Sequence, residues 1–106
     1  MVADTSAMLY VKFTGIIGAL QRKLGDVDGA ISQLRQVMTV ASGRYAADDP
    51  RLAEVQQSLG EAWLAKQRPD SAGPLLAAAA ATFQRRFGPI HPQTIAALRD
   101  LERARP

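Results

Sequence analysis

Apolar and small side chains recur along this chain at the spacing of one face of an α-helix. One such stripe comprises Leu52, Val55, Leu59, Ala62 and Trp63. A second comprises Ala72, Leu75, Leu76, Ala79, Ala80, Phe83 and Phe87. Positions three and four apart share a helix face, whereas a half-buried strand alternates with period two, and no convincing alternation occurs here. The pattern predicts an all-α fold.

Capping residues, glycines and prolines divide the chain into five predicted helices. Asp4, Thr5 and Ser6 are expected to cap the start of the first helix, and Gly25 is expected to end it. Asp28 is expected to cap the start of the second helix. The first four helices are expected to end near Leu24, Tyr45, Lys66 and Phe87, in that order. The fifth is expected to end near the last residue of the sequence. Asp49 and His91 each precede a proline at a predicted first helical position. Proline is tolerated there because the N–H that it lacks would have no partner within the helix. Pro74 is placed in the first turn of the fourth helix.

The sequence repeats itself with a period of 42 residues, the distance from Pro50 to Pro92. The same offset relates Gly18 to Gly60, Asp28 to Asp70, Ala30 to Ala72, Leu34 to Leu76 and Arg44 to Arg86. Such a fixed period is typical of a solenoid, in which one supersecondary unit stacks on the next. We expect one domain over residues 1–106, with units over about 6–45 and 50–87 and a capping helix over about 92–105.

Small and large residues alternate within each unit in a way that suits close helix packing. Gly60 and Ala72 allow two helix axes to approach, and Trp63 and Leu76 are expected to fill the space beside them. Replacing Trp63 or Leu76 with alanine should cost about 2–5 kcal/mol, because a cavity would remain in a small core.

The spacing of large and small positions resembles a tetratricopeptide repeat, in the second unit at Leu59-Gly60, Trp63, Ala72, Leu76 and Ala79. The 42-residue period and the stretch Arg86 to Thr94 are similar to the variety found in kinesin light chains and many bacterial regulators. The first unit matches at Ile17-Gly18, Ala30, Leu34 and Val37, although Gln21 stands where an aromatic residue is usual. The resemblance implies a right-handed superhelix and a non-catalytic scaffold for protein–protein interaction.

The resemblance also implies that the first helix of each unit lines a concave groove that binds a peptide or helix. Carried over by position, the groove residues are Lys12, Gly15, Ala19, Arg22, Lys23, Glu54, Gln57, Glu61, Leu64, Arg99 and Arg103. Light-chain members usually carry asparagines in the middle of this helix, and here those places hold Gln57-Ser58 and Arg99-Asp100. The basic residues favour an acidic protein or peptide partner. The alternative is that these residues simply form a solvated surface and bind no partner.

The first helix is apolar around more of its circumference than one packing stripe needs. Its large residues are Leu9, Tyr10, Val11, Phe13, Ile16, Ile17, Leu20 and Leu24. We predict a self-association face at Leu9, Tyr10, Phe13 and Ile16, covered by a second copy in a homodimer, by a partner, or by residues that a longer chain would supply. The alternative is that these side chains pack within the molecule.

Composition argues against several other classes. The chain has no cysteine and one histidine, His91, which is expected to cap a helix, so we expect no enzyme, no metal site and no cofactor. The run from Met8 to Leu20 contains Lys12 and is too short to span a bilayer, and Asp4 argues against a secretory signal. Thirteen Lys and Arg residues against ten Asp and Glu leave nucleic-acid binding as a weaker alternative. We expect a cytoplasmic, bacterial protein.

Overall fold

The computed structural model describes residues 2–105, with side chains described from Met8 onward. The helices are α1 (Val2–Lys23), α2 (Val27–Arg44), α3 (Pro50–Ala65), α4 (Pro69–Phe87) and α5 (Pro92–Arg103). No strand occurs between residues 2 and 105. The predicted all-α fold of five helices is confirmed.

The helix starts depart from the sequence-based expectation in the first half of the chain. α1 begins at Val2, so that Asp4, Thr5 and Ser6 lie within it and do not cap it. The N-cap of α2 is Asp26 and not Asp28, since the Asp26 carboxylate accepts a hydrogen bond from the Gly29 N–H at 3.0 Å. Asp28 lies two residues further, in the first turn of α2, where its carboxylate pairs with Lys66, the residue that follows α3.

The remaining caps follow local sequence more closely. Asp49 Oδ1 accepts from the Arg51 N–H at 2.8 Å, and His91 Nδ1 accepts from the Gln93 N–H at 3.2 Å.

The predicted position of Pro74 is wrong: α4 already begins at Pro69, so Pro74 lies inside the helix and beyond its first turn. Because proline has no N–H, it cannot donate to the carbonyl four residues earlier, and α4 lacks that one bond.

Two turns of the same kind end α1 and α3. Gly25 has φ +95°, and the Asp26 N–H donates to the Gln21 carbonyl at 2.8 Å. At the equivalent place in the second half, Gln67 has φ +63°, and the Arg68 N–H donates to the Trp63 carbonyl at 2.9 Å. Both are helix stops with a left-handed residue, a conformation that favours glycine. The second half therefore carries backbone strain that the first half avoids.

Glycines set the closest approach within both helix pairs, α1/α2 and α3/α4. A Cβ added to Gly18 would lie 2.7 Å from Leu34 Cγ, and one added to Gly60 would lie 2.6 Å from Leu76 Cγ. Both leucines are fully buried. The predicted close packing at Gly60 is confirmed, and the same contact recurs in the first pair.

The core runs along the row of helices as three clusters of buried side chains. Trp63 is only half-buried and packs at the edge of the cluster that joins α2 to α3. Phe83 lies fully buried among alanines of α3, α4 and α5. Each helix packs mainly on its neighbours in the chain, and beyond that α3 contacts both α1 and α5. This arrangement places α1, α3 and α5 side by side.

Candidate functional site

A cleft of about 550 Å³ lies between α1 and α3. Its α1 wall comprises Met8, Val11, Lys12, Gly15, Ile16 and Ala19. The other wall comprises Tyr45, Arg51, Glu54, Val55, Gln57 and Ser58. Val11 and Val55 are buried and form an apolar floor, whereas Lys12 and Glu54 are exposed at the rim. A volume of this size is typical of sites that hold a few side chains of a ligand.

One end of the cleft is fixed by Arg51. Its guanidinium donates to both carboxylate oxygens of Asp49, at 3.0 Å from Nε and 2.7 Å from NH2. The same group lies over the Tyr45 ring, 4.2 Å from its centroid. The hydrogen bonds from the Arg51 side chain hold the pKa of Asp49 below its usual value. Arg51 is therefore held in place by a two-point ion pair and a cation–π contact.

A polar cluster continues the groove where α1, α3 and α5 meet. Asp100 is buried, and its carboxylate lies 3.5 Å from both Gln57 Nε2 and Arg103 NH1. Glu61 shares a hydrogen bond with Asp100 and lies 3.6 Å from Arg22 NH2. The pKa of Glu61 is raised to about 7 by burial and by the neighbouring Asp100 carboxyl, against the opposing charge of Arg22. The centre of the groove therefore carries a carboxyl that titrates near neutral pH.

The residues proposed for the groove fall into three sets. Lys12, Gly15, Ala19, Glu54 and Gln57 line the cleft. Arg22, Glu61 and Arg103 belong to the polar cluster. Lys23 and Arg99 are exposed, Leu64 is half-buried, and none of these three lines the cleft.

Ion pairing changes the charge that the groove presents. Arg22 is paired with Glu61 and Arg103 with Asp100, so two of the five basic residues predicted for the groove are partly neutralised within the molecule. Glu54 accepts a hydrogen bond from Gln93 Nε2 at 3.1 Å, which ties α3 to α5.

Sequence reasoning missed Tyr45 and Arg51 as groove residues. It did place Asp100 at a mid-helix groove position, because Asp100 follows Ser58, which lines the cleft, by the 42-residue period. Tyr45 and Arg51 flank the connection between α2 and α3 and carried no such signal.

Most of the proposed self-association face is exposed. Leu9, Tyr10 and Phe13 point outward on α1, as do Ile17 and Leu20. Ile16 is also half-exposed, but it lines the cleft and therefore borders both surfaces.

Other kinds of site find little support in the described part of the chain. Between residues 2 and 105, no three His, Cys, Asp or Glu side chains come together as a metal site would require. His91 caps α5 and stacks against Phe87, with ring centroids 4.5 Å apart. None of the described helices combines the length and the apolar character needed to cross a bilayer.

Comparisons with known proteins identify the fold. No family model matches the sequence, and no curated protein matches it. Among solved structures, the chain is similar to the nearly identical TPR-like repeats of a Podosopora anserina protein assigned as a kinesin light chain, with a TM-score of 0.79 and 22% identity. The match covers 89% of this chain and 44% of that one, so this chain spans less than half of its structural relative. The chain therefore has the tetratricopeptide-like fold of helical-repeat proteins.

Proposed function

We propose that this chain is a non-catalytic interaction scaffold that binds a peptide or helix of another protein in the groove along α1, α3 and α5. The observation that carries the proposal is the cleft of about 550 Å³ between α1 and α3, which has an apolar floor and a polar rim. Helical-repeat folds of this kind commonly act as protein-interaction scaffolds, because their stacked first helices create an extended concave surface.

The lining of the groove suits a peptide. Val11 and Val55 offer an apolar floor for one side chain, and the Gln57 amide offers both a donor and an acceptor to a peptide backbone. Lys12, Lys23 and Arg99 form no ion pair within the described part of the chain, which favours a partner with acidic residues. The absence of cysteine fits a reducing compartment, and we place the scaffold in the bacterial cytoplasm.

The test uses peptides selected from a random displayed library against the intact chain. Gly15 lines the cleft and has no atom within 4 Å of a Cβ placed on it, so Gly15→Phe should fill the cleft without disturbing the fold. Gly43, on the exposed side of α2, is equally open and provides the matched control Gly43→Phe. We expect Gly15→Phe to weaken binding of the selected peptides at least tenfold and Gly43→Phe to leave it unchanged.

Calorimetry of both variants with the same peptides provides the measurement. If the peptides bind Gly15→Phe as tightly as the parent chain, the groove is not the binding site and the proposal is wrong. Binding that weakens steeply with salt and equally for any DNA or RNA would instead favour the nucleic-acid alternative.

A further inference from the structure

The outward side of α1 carries a continuous apolar surface, which we call the α1 outer face. Its central residues are exposed by 37% at Tyr10, 56% at Phe13, 49% at Ile17 and 52% at Leu20. Leu9 and Leu24 extend the same surface at either end. Contiguous exposed apolar surface of this kind usually marks an interaction site.

The repeat shows how the same positions are used elsewhere in the molecule. Moving by 42 residues along the chain, the equivalents on α3 are Leu52, Val55, Leu59 and Ala62. All four are 5% exposed or less. On α5, the first two equivalents are Thr94 and Ala97, which are fully buried. This side of a first helix is therefore a buried packing surface wherever another helix precedes it.

In both buried cases the covering element is the second helix of the preceding pair. Leu52 and Val55 pack with Val37 and Ala41 of α2. Ala97 packs in one cluster with residues of α4, among them Phe83. The covering helix presents a stripe of small and medium apolar side chains, which on α2 is Ala30, Leu34, Val37 and Ala41.

We propose that the α1 outer face is a docking site for an amphipathic helix of the α2 class, supplied from outside this folded unit. The α1 outer face would recognise an apolar stripe on the docking helix with the spacing and residue sizes of Ala30, Leu34, Val37 and Ala41. The face from Leu9 to Leu24 is about 24 Å long, at 1.5 Å per residue, which matches a helix of about the length of α2. The proposal is separate from groove binding, because it concerns the other side of α1.

A second folded copy does not provide such a helix. The stripe of α2 is fully buried at Ala30, Leu34, Val37 and Ala41 within its own molecule. The corresponding stripe of α4 is likewise buried against α3 and α5. Both helices of this class are already in use within each folded copy, so a second copy would have to unfold to supply the occupant.

The experiment titrates a synthetic peptide of residues 26–45, which contains the α2 stripe, into the ¹⁵N-labelled intact chain. We expect saturable amide shifts centred on Tyr10, Phe13, Ile17 and Leu20. A control peptide with Leu34→Asp and Val37→Asp should bind at least tenfold more weakly. Phe13→Asp in the chain should also weaken binding at least tenfold, whereas Arg99→Glu, at an exposed position of α5, should not.

Because Phe13 is exposed, Phe13→Asp should keep the helical circular-dichroism spectrum, and Leu20→Asp serves in its place if it does not. The proposal is overturned if binding does not saturate at millimolar peptide. It is also overturned if neither Phe13→Asp nor Leu20→Asp weakens binding of the peptide. Shifts centred on the cleft overturn it in favour of the groove. Shifts centred on α3, where the peptide would replace α2, overturn it as well. A dimer of the chain alone, dissociated by Phe13→Asp in sedimentation measurements, overturns it in favour of a second copy.

Discussion

Gly60→Ala tests whether the contact between α3 and α4 is as close as the structure places it. The added methyl would lie 2.6 Å from Leu76 Cγ and 2.7 Å from Leu76 Cδ2, both inside contact distance. Leu76 is fully buried and belongs to the core, so it cannot swing into solvent. Overpacking of this kind costs about 1–3 kcal/mol, and the better helix propensity of alanine returns about 1 kcal/mol. We expect a net loss of up to about 2 kcal/mol, in place of the gain that helix propensity alone would give.

A second substitution separates the clash from propensity. Leu76→Ala alone should cost about 2–5 kcal/mol because it leaves a cavity. In that background the methyl at position 60 meets no leucine, so Gly60→Ala should become neutral or stabilising. Gly43→Ala is the matched control: it lies on an exposed helix surface with no neighbour within 4 Å, and it should stabilise by up to about 1 kcal/mol.

Urea unfolding, followed by circular dichroism, gives the free energy of unfolding of the parent chain and the four variants. The decisive quantity is the coupling energy between positions 60 and 76, which we expect to be about 2 kcal/mol. If Gly60→Ala stabilises the parent chain as much as Gly43→Ala does, the helices are further apart than described. The reasoning about the repeated glycine contacts would then be refuted.

Three further predictions follow from the described geometry. Gln67→Gly should stabilise by about 0.5–1 kcal/mol in thermal unfolding, because it relieves a left-handed residue at the place that Gly25 occupies in the first half; no gain would contradict the strain. The pKa of Glu61 is raised from 4.5 to about 7, so the unfolded chain loses this proton first and stability falls as pH rises through that window. Glu61→Gln should remove this slope and stabilise by about 1–2 kcal/mol at pH 8, after allowance for solvent screening, and an unchanged pH profile would contradict it. Asp26→Ala should cost about 1 kcal/mol and Asp28→Ala clearly less, and the reverse order in urea unfolding would restore Asp28 as the cap.

Helix number and most helix ends could be predicted because their signals are local. Asp49 and His91 stand directly before prolines, and that dipeptide fixes a helix start with little help from tertiary contacts. The start of α2 was misplaced because two aspartates are available. The choice between them depends on the left-handed turn at Gly25, which brings Asp26 within reach of the Gly29 N–H.

The groove was only partly predictable for a different reason. The period places residues of α1, α3 and α5 on a common side, and Lys12, Glu54 and Gln57 do line the cleft. Which charges meet across helices depends on the tilt and offset between helix axes, and no single sequence specifies those. The pairing of Glu61 with Asp100 and Arg22 is of this kind, and it changes both the charge and the pKa of the site.

Packing in this molecule is confined almost entirely to helices that follow one another along the chain. Short loops close such contacts at low entropic cost, which is the topology of fast-folding domains. Because packing is mainly between consecutive helices, unfolding of the chain need not be all-or-none. α1 and α2 can detach from one end while the cluster around Phe83 at the other end stays closed, because the two share no side chain. Cooperativity here depends on how strongly α1 and α2 together pack on α3, and that junction decides whether the chain melts as one body or from one end.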